Sequence, residues 1–347
     1  MQFAIVGYGK CGRAYGSLIQ ALRGASVSCV IDADPSRAEA GARTLGAAQW
    51  SANATVALRR ASADAVVIAT SHASHAQLAR DALDLGLPIL LEAPLALRLP
   101  DAQRVVAYAR AAGTVVAVNF WARALPALRR IRRRIPRPTF VRVEFVVDPL
   151  SESWTGSAEH GGVMGLLGSH ALDLASFLIR SRPRYLQAMG GRHTRRADLA
   201  DTVSVSLRFD NGGLARVVVG EYGRSRVGAS WHVLATDGTI TETAHGDLPG
   251  EGSRSTGLTG TDAGCSRPAC QAQLESLRAF AEAVAGQGKP LAGIDDGLRA
   301  VQLADAAYEA LGSRRRIPIA ATPLPIGAGP VYADDPAPYR RNHGFRA

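Results

Sequence analysis

Phe3-Ala4-Ile5-Val6-Gly7-Tyr8-Gly9-Lys10-Cys11-Gly12 is the stretch that decides the fold. Four apolar residues read as a buried strand, and glycines follow at once in the spacing Gly-x-Gly-x-x-Gly. Residues 14–22 read as an amphipathic helix, residues 27–31 as a second apolar strand, and that strand ends in Asp32, twenty residues after Gly12. Strand, glycine turn, helix, strand and acid are the parts of a dinucleotide-binding unit. Gly7 permits the tight turn, Gly9 lets the backbone approach a pyrophosphate, and Gly12 lets the helix pack closely on the strand. The start of the helix, Lys10 and Cys11 included, offers unpaired N–H groups and the positive end of a dipole to the phosphates. The Asp32 carboxylate can accept from both ribose hydroxyls and repels a 2′-phosphate, so the expected cofactor is NAD rather than NADP. Arg37, five residues on, reaches the adenosine or caps a helix.

Working outward, the alternation continues. Residues 65–69 are strand-like, and Thr70-Ser71-His72-Ala73-Ser74-His75 leads into a helix to residue 85. Residues 88–91 form another strand before Glu92-Ala93-Pro94, residues 100–112 are helical, and residues 114–120 give a last strand. Strands alternating with helices predict an α/β fold, a doubly wound parallel sheet. Ligands lie at the carboxyl ends of such strands. One cleft thus gathers Gly7, Gly9, Lys10, Cys11, Gly12, Asp32, Arg37, Ala69, Thr70, His75, Glu92, Ala93 and Pro94 as cofactor-binding residues, with Asn119 beside them.

The second half changes pattern. Phe140–Val147 alternates and is β-branched, residues 204–209 form a strand, and Asn211-Gly212-Gly213 turns into residues 214–220. Residues 231–236, the turn Asp237-Gly238 and residues 239–243 repeat the hairpin. These predict an α+β domain with a large, mostly antiparallel open sheet, whose free face would join a homodimer or homotetramer. Between the early strands, Gly161-Gly162 opens a run through Gly168-Ser169-His170 into a helix to residue 179, with His170, Asp173 and Phe177 near one face. Residues 271–284 and 295–310 are long helices. The expected division is a Rossmann domain over 1–122, a substrate and oligomerisation domain over 123–320, and a proline-rich, extended or disordered tail over 321–347.

Composition removes other classes. With 47% apolar and 20% charged residues, the chain has the balance of a globular protein. No apolar run reaches about 18 residues without a charge, so no membrane partner is expected. The chain enters its first strand with no basic or apolar leader before it, and four cysteines are too sparse for a disulfide framework, which together predict a cytoplasmic location. Cys265 and Cys270 lack a second ligand pair, so no metal is expected. The net charge is +10, and Lys10 and Lys289 are the only lysines among 40 basic residues, so the excess is arginine. One dense cluster, Arg129, Arg130, Arg132, Arg133, Arg134 and Arg137, reads as a phosphate site or as a solvated helix face. No aromatic residue interleaves it, and no nucleic-acid partner is expected.

The order of motifs resembles the Gfo/Idh/MocA family, the relatives of glucose–fructose oxidoreductase and inositol dehydrogenase. The resemblance runs over residues 2–320. It is carried by the Gly7 turn, Ala69-Thr70 with His75, Glu92-x-Pro94, Arg123 with Pro126, Gly161-Gly162, Gly168-x-His170-x-x-Asp173, Asp201-Thr202, Asn211-Gly212, and the stretch from Phe280 through Asp296-Gly297-Leu298 to Ala306. It implies hydride transfer between NAD(P) and a small-molecule substrate, sugar-like or related, with His170 as the catalytic residue. Asp173, Arg123, Trp154 and His75 are then the substrate-binding candidates, with His72 and Tyr8 as possible helpers. Two positions depart from the family pattern. Its Glu-Lys-Pro reads Glu92-Ala93-Pro94, and its aspartate two residues before the glycine of Gly-x-His is Leu166. Of the usual proton-transfer set, only His170 survives. One expectation is therefore an oxidoreductase with an altered acid, suited to a sugar-like substrate or to an imine or enone. The alternatives are a nucleotide-binding regulatory or scaffold protein without chemistry, and a non-redox lyase or isomerase that uses bound NAD transiently.

Overall fold

The computed structural model describes residues 1–147, 158–193, 199–221, 230–248 and 268–320. These form two compact units, each assembled from discontinuous segments. The first unit is Met1–Ala96, Arg104–Leu125 and the described part of Ser255–Gly297.

The first unit carries β1 (Gln2–Val6), α1 (Lys10–Ala21), β2 (Ser26–Ile31), α2 (Pro35–Leu45), β3 (Gln49–Ser51), α3 (Ala54–Arg60), β4 (Ala65–Ile68), α4 (His75–Leu83), β5 (Ile89–Leu91), part of α5 (Leu99–Ala112), and β6 (Val116–Val118). Six parallel strands among the described residues stand in the order β3-β2-β1-β4-β5-β6. The chain leaves β1 toward β2 on one side and returns to β4 on the other, which opens a crevice at the carboxyl ends of β1 and β4. Phe3, Ala4, Ile5 and Val6 are all buried, as a central parallel strand covered on both faces requires. The glycine motif proves shorter as a loop than expected, because α1 begins at Lys10, inside it. α2 starts where the Asp34 carboxylate accepts from the N–H groups of Ser36 and Arg37, and ends at a left-handed Gly46.

α6 (Pro126–Arg134), β7 (Phe140–Val147), α7 (Ser169–Ile179), β8 (Pro183–Gly191), β9 (Thr202–Phe209), β10 (Leu214–Glu221), β11 (Ser230–Thr236) and β12 (Thr241–Asp247) belong to the second unit. α8 (Pro268–Val284) belongs to the first unit, α9 (Ile294–Ser313) is divided between the two, and β13 (Ile317–Pro318) closes the second sheet. That sheet runs β12-β11-β7-β10-β9-β8-β13 among the described residues. Its neighbours are antiparallel except β7 and β10, which run parallel. Val141, Val143 and Phe145 point inward, whereas Arg142, Glu144, Arg216 and His232 lie on the other face. β12 starts two residues later than expected, because the Asp237 carboxylate accepts from the N–H groups of Thr239 and Ile240 and lengthens the turn.

The arginine cluster lies on α6, and three of its members are structural ties rather than a free basic face. Arg130 and Arg134 both pair with Glu242 of β12, at 2.9 and 2.8 Å. The Arg132 guanidinium lies 4.1 Å from the centre of the Phe177 ring and donates to the Phe177 carbonyl.

The first unit draws part of its core from far along the chain. Leu277 and Phe280 of α8 are fully buried with Phe3, Ile5, Leu18 and Val30. Phe280→Ala is expected to cost about 3–5 kcal/mol, the usual penalty for emptying a buried aromatic site. Urea unfolding followed through the first unit checks this; a loss under about 1 kcal/mol contradicts the assignment of α8 to that core.

Candidate active site

The three motif glycines do different things. Gly7 has φ +88°, and a Cβ there would lie 2.6 Å from the Ala69 carbonyl oxygen. A Cβ on Gly12 would lie 1.9 Å from the Gly7 carbonyl oxygen. Both are forced by the protein's own packing. Gly9 has an ordinary φ of −73°, and a Cβ there would meet nothing within 4 Å. Its openness leaves room for an external group. Gly9 is also the N-cap of α1, and it caps without a side-chain bond; no acidic residue stands in the first turn. The N–H groups at Lys10 and Cys11 therefore begin a helix whose first turn holds no acidic residue to offset its positive end.

Asp32 ends β2 with 8% of its surface exposed. Its Oδ2 accepts from the Tyr8 N–H at 2.7 Å and its Oδ1 from the Asp34 N–H at 2.9 Å. Arg37 approaches the same carboxylate at 3.6 Å and Asp34 at 3.4 Å. The backbone bonds fix the carboxylate, and each oxygen keeps a further lone pair for a hydroxyl.

At the ends of β4 and β5, Ala69, Thr70, His75, Glu92, Ala93 and Pro94 come together as the sequence predicts. His75 is fully buried, with Nδ1 2.8 Å from the Pro94 carbonyl oxygen and Nε2 3.2 Å from that of Thr70. Burial holds its pKa below the ordinary 6.5, against those two carbonyls. His72 meets the His75 ring edge-on at 5.5 Å. Glu92 Oε1 accepts from the Tyr15 hydroxyl at 2.7 Å and from Asn119 Nδ2 at 2.8 Å. Burial raises the Glu92 carboxyl above its usual value, and the two donors oppose the rise. Desolvation and the adjacent Glu92 push the Tyr15 phenol well above 10.0. Ala93 is 4% exposed and contributes no polar side chain. Tyr15 carries no signal in the sequence beyond a place on the buried face of a helix, and its role appears only when α1 crosses the end of β5. Asn119 Oδ1 is a buried acceptor without a hydrogen-bond partner among the described residues.

Arg123, a substrate-binding candidate, is buried and committed within the first unit. Its Nη2 lies 3.0 Å from Asp296 Oδ1, and its Nη1 donates to Asp296 Oδ2 and to the Leu291 carbonyl. The arrangement is a structural ion pair joining the segment after β6 to the start of α9.

In the second unit, residues 164–168 form one π-helical turn that runs directly into α7. Such turns are rare and recur at functional positions. Over residues 161–176, Leu166 and His170 reach solvent and the others are buried. Asp173 is 3% exposed, and Ser169 Oγ donates back to the Gly165 carbonyl. Desolvation lowers the His170 pKa from 6.5 to about 4. The imidazole is thus neutral at pH 7, where the unshifted value would have left part of it charged and ready to give a proton. Trp154 lies outside the described residues, as do Cys265 and the tail over 321–347. Cys270 is disulfide-bonded, and no group of three or more potential metal ligands occurs among the described residues. No helix of the described residues is long and apolar enough to cross a membrane.

A doubly wound sheet with an open, uncapped glycine turn at its crevice and an acid at the end of β2 defines a dinucleotide-binding protein. Comparison with known proteins sharpens this. Residues 1–120 match the GFO/IDH/MocA oxidoreductase family with an NAD-binding Rossmann fold, and residues 130–241 match the GFO/IDH/MocA C-terminal domain. The chain belongs to this family. It is 26% identical over 339 residues to the inositol 2-dehydrogenase of Rhizobium meliloti, covering 92% of this chain and 99% of that one. It is 26% identical over 252 residues to the scyllo-inositol 2-dehydrogenase (NAD(+)) of Bacillus subtilis, covering 68% and 72%. Its fold matches the WlbA dehydrogenase from Bordetella pertussis, solved with NADH and UDP-GlcNAcA, with a TM-score of 0.80 at 21% identity over 93% of this chain and 98% of that one.

The open Gly9, the uncapped α1, the fixed Asp32 carboxylate and the unused Asn119 acceptor suit NAD. Gly9→Ala should leave urea stability within about 0.5 kcal/mol of wild type, since the methyl meets nothing, yet weaken NADH binding about tenfold or more. Gly12→Ala should cost about 1–3 kcal/mol of stability, because backbone must move. Fluorescence titration and urea unfolding separate the two; equal effects would refute the division of tasks.

Proposed function

We propose that the protein is an NAD-dependent oxidoreductase that moves a hydride to or from a small metabolite, sugar-like or an imine or enone derivative, with His170 handling the proton. The observation that carries this reading is the pair of partly exposed residues Leu166 and His170 on an otherwise buried stretch of a family member. The family resemblance puts a lysine at position 93 and an aspartate at position 166. This chain has Ala93 and Leu166, which removes one charge of each sign. The resemblance makes those two charges members of one proton-transfer set, in which a lone survivor would lack its counter-charge, so the double replacement reads as coordinated. NAD, when bound, supplies the hydride chemistry. The glycine turn and the start of α1 hold its phosphates, and Asp32 holds the ribose and disfavours a 2′-phosphate, so NADPH binds more weakly than NADH. His170, neutral above about pH 4, accepts the hydroxyl proton in oxidation and returns it in reduction.

Leu166 favours substrates with an apolar or unsaturated portion over fully hydroxylated rings. An iminium takes hydride without forming an alkoxide, and so needs less from an acid. The inositol dehydrogenases among the relatives make inositols the natural comparison. We also propose a homodimer or homotetramer built on the outer face of the second sheet, where Met189 is 75% exposed, a mass that light scattering reads directly.

The test is NADH oxidation against sugar ketones, enones and cyclic imines, with inositols in the reverse direction. His170→Ala should lower kcat/KM about 10²- to 10⁴-fold on whichever substrate turns over. The acidic limb of the wild-type oxidation profile should fall near pH 4 rather than 6.5. Inositol turnover at an ordinary rate, about 1–10³ s⁻¹, would overturn the apolar-substrate reading. NADH binding without turnover of any member would favour the second reading, a nucleotide-binding protein without chemistry, to which the buried apolar Ala93 also points.

A further inference from the structure

We propose that His75 is a positioning residue: its imidazole pins the segment after β4 to the segment after β5 and so fixes the backbone on both sides of Ala93. The proposal rests on the reading of this end of the sheet as the NAD site. His75 stands in the first turn of α4 and is fully buried. Its two ring nitrogens face two main-chain carbonyls that belong to different segments, Pro94 at 2.8 Å and Thr70 at 3.2 Å. Carbonyls only accept, so each contact requires a proton on the nitrogen. A neutral imidazole carries one N–H. The shorter contact assigns it to Nδ1, which makes Pro94 the hydrogen bond and leaves the Thr70 carbonyl packed against a ring nitrogen that does not donate to it.

The segment is held from the other side as well. One residue before Ala93, the Glu92 carboxylate takes two hydrogen bonds, from Tyr15 on α1 and from Asn119 at the end of β6. Residues 92 and 94 are thus anchored by separate buried bonds that reach α1, α4 and the end of β6. Ala93 has no polar atom beyond its backbone, so it does nothing to hold its own place. Its position comes from its neighbours. A backbone that lies beside a bound ligand must be in place before binding, or the ordering cost is charged against affinity. The side chain that touches both loops is His75, and the ring also gives His72 an edge to pack on at 5.5 Å.

The experiment uses the full chain and three variants. His75→Leu removes the bond to Pro94 and the contact with Thr70 at similar volume. His75→Asn keeps an N–H donor near the position of Nδ1, and His75→Gln keeps one near Nε2. Two readouts are taken: amide hydrogen exchange over residues 70–75 and 92–96, and the NADH dissociation constant. In His75→Leu, exchange should accelerate about tenfold or more in both segments and NADH should bind about tenfold more weakly, the scale of one buried hydrogen bond. His75→Asn should restore both readouts to within about threefold of wild type. Unchanged exchange in His75→Leu, or His75→Asn as impaired as His75→Leu, overturns the proposal. Should His75→Leu fail to fold, His75→Gln decides. It should loosen residues 92–96, having no donor near Nδ1, and unchanged protection of residues 92–96 overturns the clamp. A wild type without affinity for NADH sinks the cofactor reading instead, while the exchange pattern still decides the role of His75.

Discussion

The first turn of α1 rests against the Gly7 carbonyl oxygen, where a Cβ on Gly12 would come within 1.9 Å. This closeness sets the height of α1 above β1. At that height Leu18 and Ile19 enter the core with Phe3 and Ile5, and the Tyr15 hydroxyl reaches Glu92 beyond β5. The same placement brings the positive end of the helix to the crevice between β1 and β4. Raise α1 by the width of a methyl group and three things change together: core packing, the Tyr15–Glu92 bond and the approach of the helix to a phosphate. The segment bearing Ala93 is thus coupled to a glycine eighty-one residues earlier through one hydrogen bond.

Several buried ionisable groups are paired or held toward neutrality. Arg123 is matched by Asp296 and a carbonyl. Glu92 has two donors, and burial raises its pKa rather than leaving a bare charge. His75 is held neutral between two carbonyls. At positions 93 and 166 the chain reaches the same end differently, by having no charge at all. Desolvation lowers the His170 pKa to about 4, which leaves a neutral imidazole. The chemistry proposed follows from that proton state, since a neutral imidazole accepts a proton more readily than it donates one.

The arginine cluster shows how composition misleads when read without partners. Six arginines within nine residues suggest a field for anions. Glu242 lies more than a hundred positions away on β12, and its single carboxylate engages Arg130 and Arg134. Arg132 meanwhile stacks on Phe177. β8 is the reverse case. Pro183 and the pair Gly190-Gly191 argue against a strand locally, yet the ladder with β9 supplies the hydrogen bonds that propensity does not.

The sequence by itself determined the parallel sheet, the glycine turn with Asp32, and the residues at the strand ends, because these depend on local rules. A strand covered on both faces must be continuously apolar, a tight turn needs a glycine with positive φ, and a helix start offers free N–H groups wherever it occurs. Tertiary structure decided the rest. Which glycine serves the ligand and which the protein depends on what lies across from each. That α8 completes the first unit depends on Phe280 meeting Phe3, 277 residues away. Tyr15, Glu92 and Asn119 become one network, His75 gains two carbonyls, Arg123 an ion pair and His170 a lowered pKa only when distant segments exclude water around them. Desolvation and long-range pairing are properties of neighbours in space, and no spacing along the chain encodes them.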